Sequence, residues 1–204
     1  MMARLLIAIL LSGLINPNQE NRIFLPIHTK DRHSLSQLEL TSIGAFGIKR
    51  KARKDIPSHY HTGIDIKRPD GNYDNDPIYP IAKGIVISKR TDGPYAQLII
   101  EHELDNKKFW SLYEHIAGIL VDINSDVRPE APIARFMNKK ELNRYGWQFD
   151  HFHLEIIKIK PASLKPTFKN PDRFYNSYSL ICYSIDELGK YFIDPIIFFQ
   201  TCWN

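Results

Sequence analysis

The chain has 204 residues, is 43% apolar and 25% charged, and carries a formal net charge of +4. That length supports one sizeable core without disulfide or metal staples, and the composition excludes wholesale disorder and low-complexity repeats. The charge is modest and its basic residues lack interleaved aromatics, which argues against a nucleic-acid-binding module.

At the N-terminus Arg4 precedes an apolar run from Leu5 to Ile15, followed by the polar Asn16-Pro17-Asn18-Gln19-Glu20. This is the layout of a secretory signal and predicts an export segment over residues 1–20, because the run falls short of the ~20 residues that a membrane-spanning helix needs. A buried N-terminal helix is the competing reading, but the run has no amphipathic period. Residues 21–42 read as a leading extension. The basic run Lys49-Arg50-Lys51-Ala52-Arg53-Lys54 reads as a solvated loop, or as weak attraction for an anionic polymer such as cell wall.

From about residue 78 the pattern is short β-type runs: Gly84 to Ser88, Gln97 to Glu101, Phe109 to Tyr113, Ile133 to Phe136 and His151 to Ile159. Turn residues between them, such as Thr91-Asp92-Gly93-Pro94 and Asp105-Asn106, predict antiparallel neighbours and a mainly β fold. Residues 160–180 read as a long Pro- and Asn-bearing loop. Ser184 and Glu187 stand in capping-box spacing and predict a short helix running to Tyr191. The two cysteines, Cys182 and Cys202, form no Cys-x-x-Cys pair. One disulfide and two free thiols are both open.

Two clusters about ninety residues apart carry metal-binding chemistry: His59-Tyr60-His61-Thr62-Gly63-Ile64-Asp65 and His151-Phe152-His153-Leu154-Glu155. On a strand, His151 and His153 share a face, their roots ~6–7 Å apart. His61 and Asp65 would stand ~13 Å apart on a straight strand, too far to share one ion, so the chain must bend between them, with Gly63 as the permissive residue. Histidine and carboxylate donors suit zinc, and three protein ligands leave a position open, the arrangement of a catalytic site. Glu155 falls on the His153 face, either as a hydrogen-bonding strand residue or as a group that orients the histidine. His28, His33 and His102 lack partners at ligand spacing and read as surface or packing residues; His59 reads as a groove-edge residue.

A third element, Ser111-Leu112-Tyr113-Glu114-His115-Ile116, completes a pattern that resembles the lysostaphin/LytM family of zinc metallopeptidases, which cleave peptidoglycan. The early His-x-x-x-Asp is matched by His61 and Asp65, the middle Tyr-x-His-Leu-like strand end by Tyr113, His115 and Ile116, and the late His-x-His by His151 and His153. Gly44-Ala45-Phe46-Gly47, Pro77-Ile78-Tyr79-Pro80 leading to Gly84-Ile85-Val86, and Ile99-Ile100-Glu101-His102 also look like the family, so the resemblance covers residues 40–160. One departure is Val127-Arg128-Pro129-Glu130-Ala131-Pro132-Ile133-Ala134, where the family has a Gly-rich turn; it bears on the groove wall and leaves the ligand positions untouched.

The resemblance implies an open-groove antiparallel fold over residues 43–160, with residues 161–204 as a C-terminal loop and short helix packed on it. It implies one zinc per chain held by His61, Asp65 and His153, with His115 and His151 as the catalytic pair, His151 the general base. Zinc acidifies a water toward a pKa of ~7 and polarises the scissile carbonyl, while neutral imidazoles take a proton and steady an oxyanion. The implied protein is an exported, monomeric endopeptidase of the periplasm or cell envelope, acting on peptidoglycan and touching the membrane only through its export segment. The competing function is a LytM-like domain that binds wall or activates another hydrolase without catalysis. A D-Ala-D-Ala zinc carboxypeptidase is a third reading, for which the later Glu and His positions give no match.

Overall fold

The computed structural model describes residues 22–91 and 93–203, so the export segment expected over residues 1–20 lies outside the described residues. In chain order the strands and helices are β1 (Lys49–Arg50), β2 (His59–Tyr60), β3 (Ile64–Lys67), β4 (Pro77–Ile78), β5 (Gly84–Arg90), β6 (Gln97–Leu104), β7 (Lys107–Glu114), β8 (Asp126–Val127), β9 (Ala134–Arg135), α1 (Lys139–Tyr145), β10 (His151–Ile157), β11 (Ala162–Ser163), β12 (Tyr175–Asn176), α2 (Ile185–Tyr191), β13 (Phe192–Ile193) and α3 (Pro195–Trp203). A seven-stranded sheet in the order β13-β10-β7-β6-β5-β8, with β3 also paired to β10, dominates; all its pairings are antiparallel. The architecture is mainly β, as expected.

The sheet is covered on both faces, and the two-residue period of its strands sorts the side chains. Leu98, Ile100, Tyr113, Phe152, Leu154 and Ile156 face one cluster; Ile99, Trp110, Leu112 and Ile157 face the other. The leading extension belongs to the first cluster: Ile23, Leu25 and Ile27 are buried in it, and Ile27 bridges to Ile78. The second cluster is closed by the C-terminal region through Cys182, Leu188 and Phe192.

The structure also departs from the sequence-based reading. The run Ile133 to Phe136 holds only the two-residue strand β9, which pairs with β4. Residues 160–180 contain the small β11–β12 pair. Helix α2 starts at the anticipated capping box, with Ser184 accepting from the Glu187 amide. Helices α1 and α3 were not anticipated, although α1 has its own capping box at Asn138 and Glu141 and ends at Gly146. In α3, Pro195 opens the helix and Asp194 accepts from the Ile196 amide, a start signal hidden by the apolar, unamphipathic run that follows. Cys182 and Cys202 are free thiols packed in different clusters. Among the described residues no helix is long and apolar enough to cross a membrane.

His102 is a buried packing residue, 1% exposed. Its Nδ1–H donates to the Lys83 carbonyl at 2.8 Å, which leaves Nε2 to accept from the Ser111 hydroxyl at 2.7 Å. Burial pushes its pKa down to about 4. The unfolded chain therefore binds the extra proton first, so this stabilisation is intact above the unfolded pKa of ~6.5 and is lost as pH falls toward 4, at most about 3 kcal/mol. Urea unfolding at pH 7 and pH 4.5 should show a smaller acid loss in His102→Asn than in the native protein; equal losses would remove His102 from the acid response.

Candidate metal centre

The site lies on the face of β10 that carries His151, His153, Glu155 and Ile157, opposite the face that buries Phe152, Leu154 and Ile156. Strand pairing aligns His153 with Asp65 of β3 on one side and Glu114 of β7 on the other. His61 follows β2, and the chain turns at Gly63 before Asp65 enters β3, the expected bend.

The reason for glycine at position 63 is different from the expected one. Gly63 is not among the positive-φ glycines; a Cβ there would lie 2.1 Å from the Leu154 carbonyl oxygen and 2.9 Å from Cε1 of His153. Glycine is required because β10 runs against it. Gly63→Ala is accordingly expected to cost roughly 3 kcal/mol through overpacking against backbone, and to loosen the site at the same time. Denaturant unfolding and metal retention measured together test this; an unchanged midpoint would show that the strand can yield.

Three donor atoms converge. His61 Nε2 lies 3.0 Å from Asp65 Oδ1 and 3.0 Å from His153 Nδ1, and His153 Nδ1 lies 2.9 Å from Asp65 Oδ1. All three residues are buried, and they are the one group of three or more potential metal donors found among the described residues. Ligands at ~2.0–2.1 Å around a tetrahedral ion stand about 3.3 Å from one another. The triangle is slightly tighter than that, and its donor set of two imidazoles and one carboxylate fits zinc.

The outward atoms of the triangle are anchored. The Nδ1–H of His61 donates to the Ala45 carbonyl at 2.9 Å, which leaves Nε2 as a lone pair toward the triangle. His153 Nε2–H donates to Glu155 Oε1 at 3.1 Å, and the Thr62 hydroxyl donates to the same oxygen at 2.5 Å. Glu155 thus orients the histidine, the second of its two anticipated roles. Asp65 Oδ2 accepts from Arg50 Nη2 at 2.8 Å, leaving Oδ1 for the triangle.

The electrostatics follow from this packing. Burial opposes ionisation of Asp65, but the adjoining His153 and His61 imidazoles outweigh it and hold its pKa well below the usual carboxylate range. Burial likewise opposes charge on His153, but the hydrogen bonds to Asp65 and Glu155 prevail and raise its pKa. Burial lowers that of His61. The triangle therefore turns two imidazole nitrogens and a carboxylate oxygen toward one point, a place suited to a cation.

His151 and His115 stand beside the triangle. His151 Nε2 is 3.7 Å from Asp65 Oδ1, and the His115 and His151 rings meet edge to face with centroids 5.2 Å apart. His115 occupies the residue after β7 at φ 63°, a left-handed conformation that is uncommon for a side-chain-bearing residue. Its Nδ1–H donates to the Pro94 carbonyl at 2.6 Å. Burial lowers the pKa of His115 and, assisted by the neighbouring histidines, pushes that of His151 down to about 4.

All five anticipated site residues therefore come together. Arg50 and Thr62 were missed: Arg50 sat inside a run read as a solvated loop, and only the β1–β2 pairing turns its side chain inward. His59, expected at the groove edge, is buried with Nδ1 2.9 Å from the Pro57 carbonyl oxygen.

Residues 59–166 match the family model described as Peptidase family M23. No curated protein matches the chain. Similar solved structures include a zinc-containing peptidase from Vibrio cholerae, at 26% identity over 67% of this chain and 37% of that one, with a TM-score of 0.47. The antimicrobial peptidase lysostaphin from Staphylococcus simulans matches at 15% identity over 83% of this chain and 52% of that one, TM-score 0.48. SpoIIQ in its complex with SpoIIIAH matches at 16% identity over 67% and 92%, TM-score 0.46. The match thus spans 37% of the Vibrio cholerae chain and about half of lysostaphin.

Proposed function

Because this chain belongs to peptidase family M23, we propose that it is an exported zinc-dependent endopeptidase that hydrolyses peptide cross-links or stem peptides of bacterial peptidoglycan. The observation that carries the proposal is the buried triangle of His61, Asp65 and His153 with two further imidazoles at its edge. His61, Asp65 and His153 would hold the metal. Zinc in that place supplies an acidified water and a Lewis acid for the scissile carbonyl.

The chain's own residues do the rest. His151, neutral at pH 7, would take up a proton from the attacking water as general base. His115, its Nδ1–H fixed on the Pro94 carbonyl, offers Nε2 as an acceptor and would donate to the oxygen that becomes negative only after that nitrogen has taken up a proton. Glu155 and Arg50 hold the ligands in orientation from behind. Export rests on Arg4 and the Leu5 to Ile15 run, and the enzyme acts as a monomer in the periplasm or cell envelope, without nucleic acid.

The test is amine release from purified peptidoglycan by the native protein beside His153→Ala, with folding checked by circular dichroism. Release is expected from the native protein alone, to vanish with a strong chelator and to return with zinc. Equal release from both, or none from either alongside undiminished wall binding, would favour the non-catalytic wall-binding reading.

A further inference from the structure

The mouth of the site carries aromatic rings that the proposed chemistry does not use. Tyr95 is 44% exposed, yet its ring packs against Phe149 and His115, both at 5.7 Å between centroids, and the Arg90 guanidinium lies 5.6 Å over it. Phe149 in turn stands 4.9 Å from the His115 ring. Trp147, two residues before Phe149, is 51% exposed; its indole N–H donates to Asn143 Oδ1 at 2.9 Å and its ring meets Tyr73 edge to face at 5.8 Å. Tyr73 itself donates to Asp150, the residue preceding His151.

Trp147 and Phe149 belong to a short 3-10 turn immediately ahead of the strand that carries His151 and His153, while Tyr95 ends the 3-10 turn ahead of β6 and reaches this group through its contact with Phe149. Trp147 and Tyr95 are both half exposed and held in place by their neighbours. A fixed, exposed aromatic offers a broad apolar face with little conformational entropy left to lose on binding. Wall stem peptides present small and charged side chains, which make poor use of such faces. The pyranose rings of the glycan to which those peptides are attached present flat sets of C–H bonds, which stack on them well.

We propose that Trp147 and Tyr95 form a saccharide-stacking ledge beside the metal centre, through which the protein binds N-acetylated hexosamine rings and favours peptides still attached to glycan over free ones. The preference rests on the peptidase reading above; the sugar binding does not.

The experiment uses the full chain and an N-acetylglucosamine tetramer as probe. Titration calorimetry should give saturable binding to the native protein that is unaffected by chelator. Trp147→Ala and Tyr95→Ala should each weaken it about tenfold, the size of one aromatic contact, while Trp147→Tyr should retain most of it. Circular dichroism checks that each variant is folded. In the second arm, kcat/KM is compared for a cross-linked peptide on glycan and the same peptide released from it, and the preference for the attached form should fall about tenfold in Trp147→Ala.

No tetramer binding by the native protein, or binding unchanged in both alanine variants, overturns the ledge. Binding with the expected losses but no cleavage of either substrate supports the ledge and counts against the peptidase. Equal cleavage of both substrates without tetramer binding does the reverse.

Discussion

His61→Ala and Asp65→Ala are expected to leave the protein folded but unable to retain zinc. The three donor atoms stand 2.9–3.0 Å apart, and among the described residues no fourth side chain belongs to the group, so each ligand carries a large share of the binding. Apparent zinc-binding free energies of ~10–16 kcal/mol for four-ligand sites correspond to roughly 3 kcal/mol per ligand, and hence to at least a ~100-fold weakening. Glu155→Gln, which disturbs only the orientation of His153, should weaken binding by ~10–100-fold. Metal content after gel filtration, followed by titration against a chromophoric chelator, reads both effects. Full occupancy in either alanine variant would sink the ligand assignment.

The second large effect separates ligands from catalysts. His115→Ala and His151→Ala should bind zinc like the native protein but lose turnover by ~10²-fold or more, the usual loss on removing a general acid or base. The geometry supports the split: neither ring belongs to the triangle, and His151 Nε2 stays 3.7 Å from the Asp65 oxygen that the ligands approach within 3.0 Å. Burial lowers the pKa of both, so both are neutral at pH 7 and able to accept a proton. Parallel measurement of metal content and kcat on one wall substrate decides the matter. A metal-free His151→Ala would move His151 among the ligands; full kcat in His115→Ala would leave that residue a structural role only.

The parts of the site that are legible in the sequence are those that repeat a local rule. The His-x-His of β10 places two imidazoles on one face because strand side chains alternate, and that holds whatever surrounds the strand. The distance limit on metal ligands forced a bend between His61 and Asp65, and the Ser184–Glu187 spacing marked the start of α2, because a capping box is closed within one helical turn. The order of the three histidine-bearing segments carried the family resemblance before any geometry was known.

What the tertiary structure alone decided depends on contacts between distant segments. Arg50 looked like one more residue of a basic loop until the β1–β2 pairing set its guanidinium on Asp65, fifteen positions away. Thr62 reaches Glu155 across 93 positions, and no local pattern marks a threonine for that task. Gly63 was legible as a needed glycine, but the cause was the backbone of β10, 2.1 Å from where a Cβ would be, and not the freedom of a turn. Helix α3 is hidden because residues 195–203 are apolar apart from Gln200 and Thr201 and show no amphipathic period; packing of Phe198 and Phe199 into the first cluster settles which face is inside. Donor chemistry belongs to the residue, so the side chains able to bind a metal are legible from the sequence alone. Which of them share one point, and what holds them there, is a property of the sheet that brings β3 and β10 together.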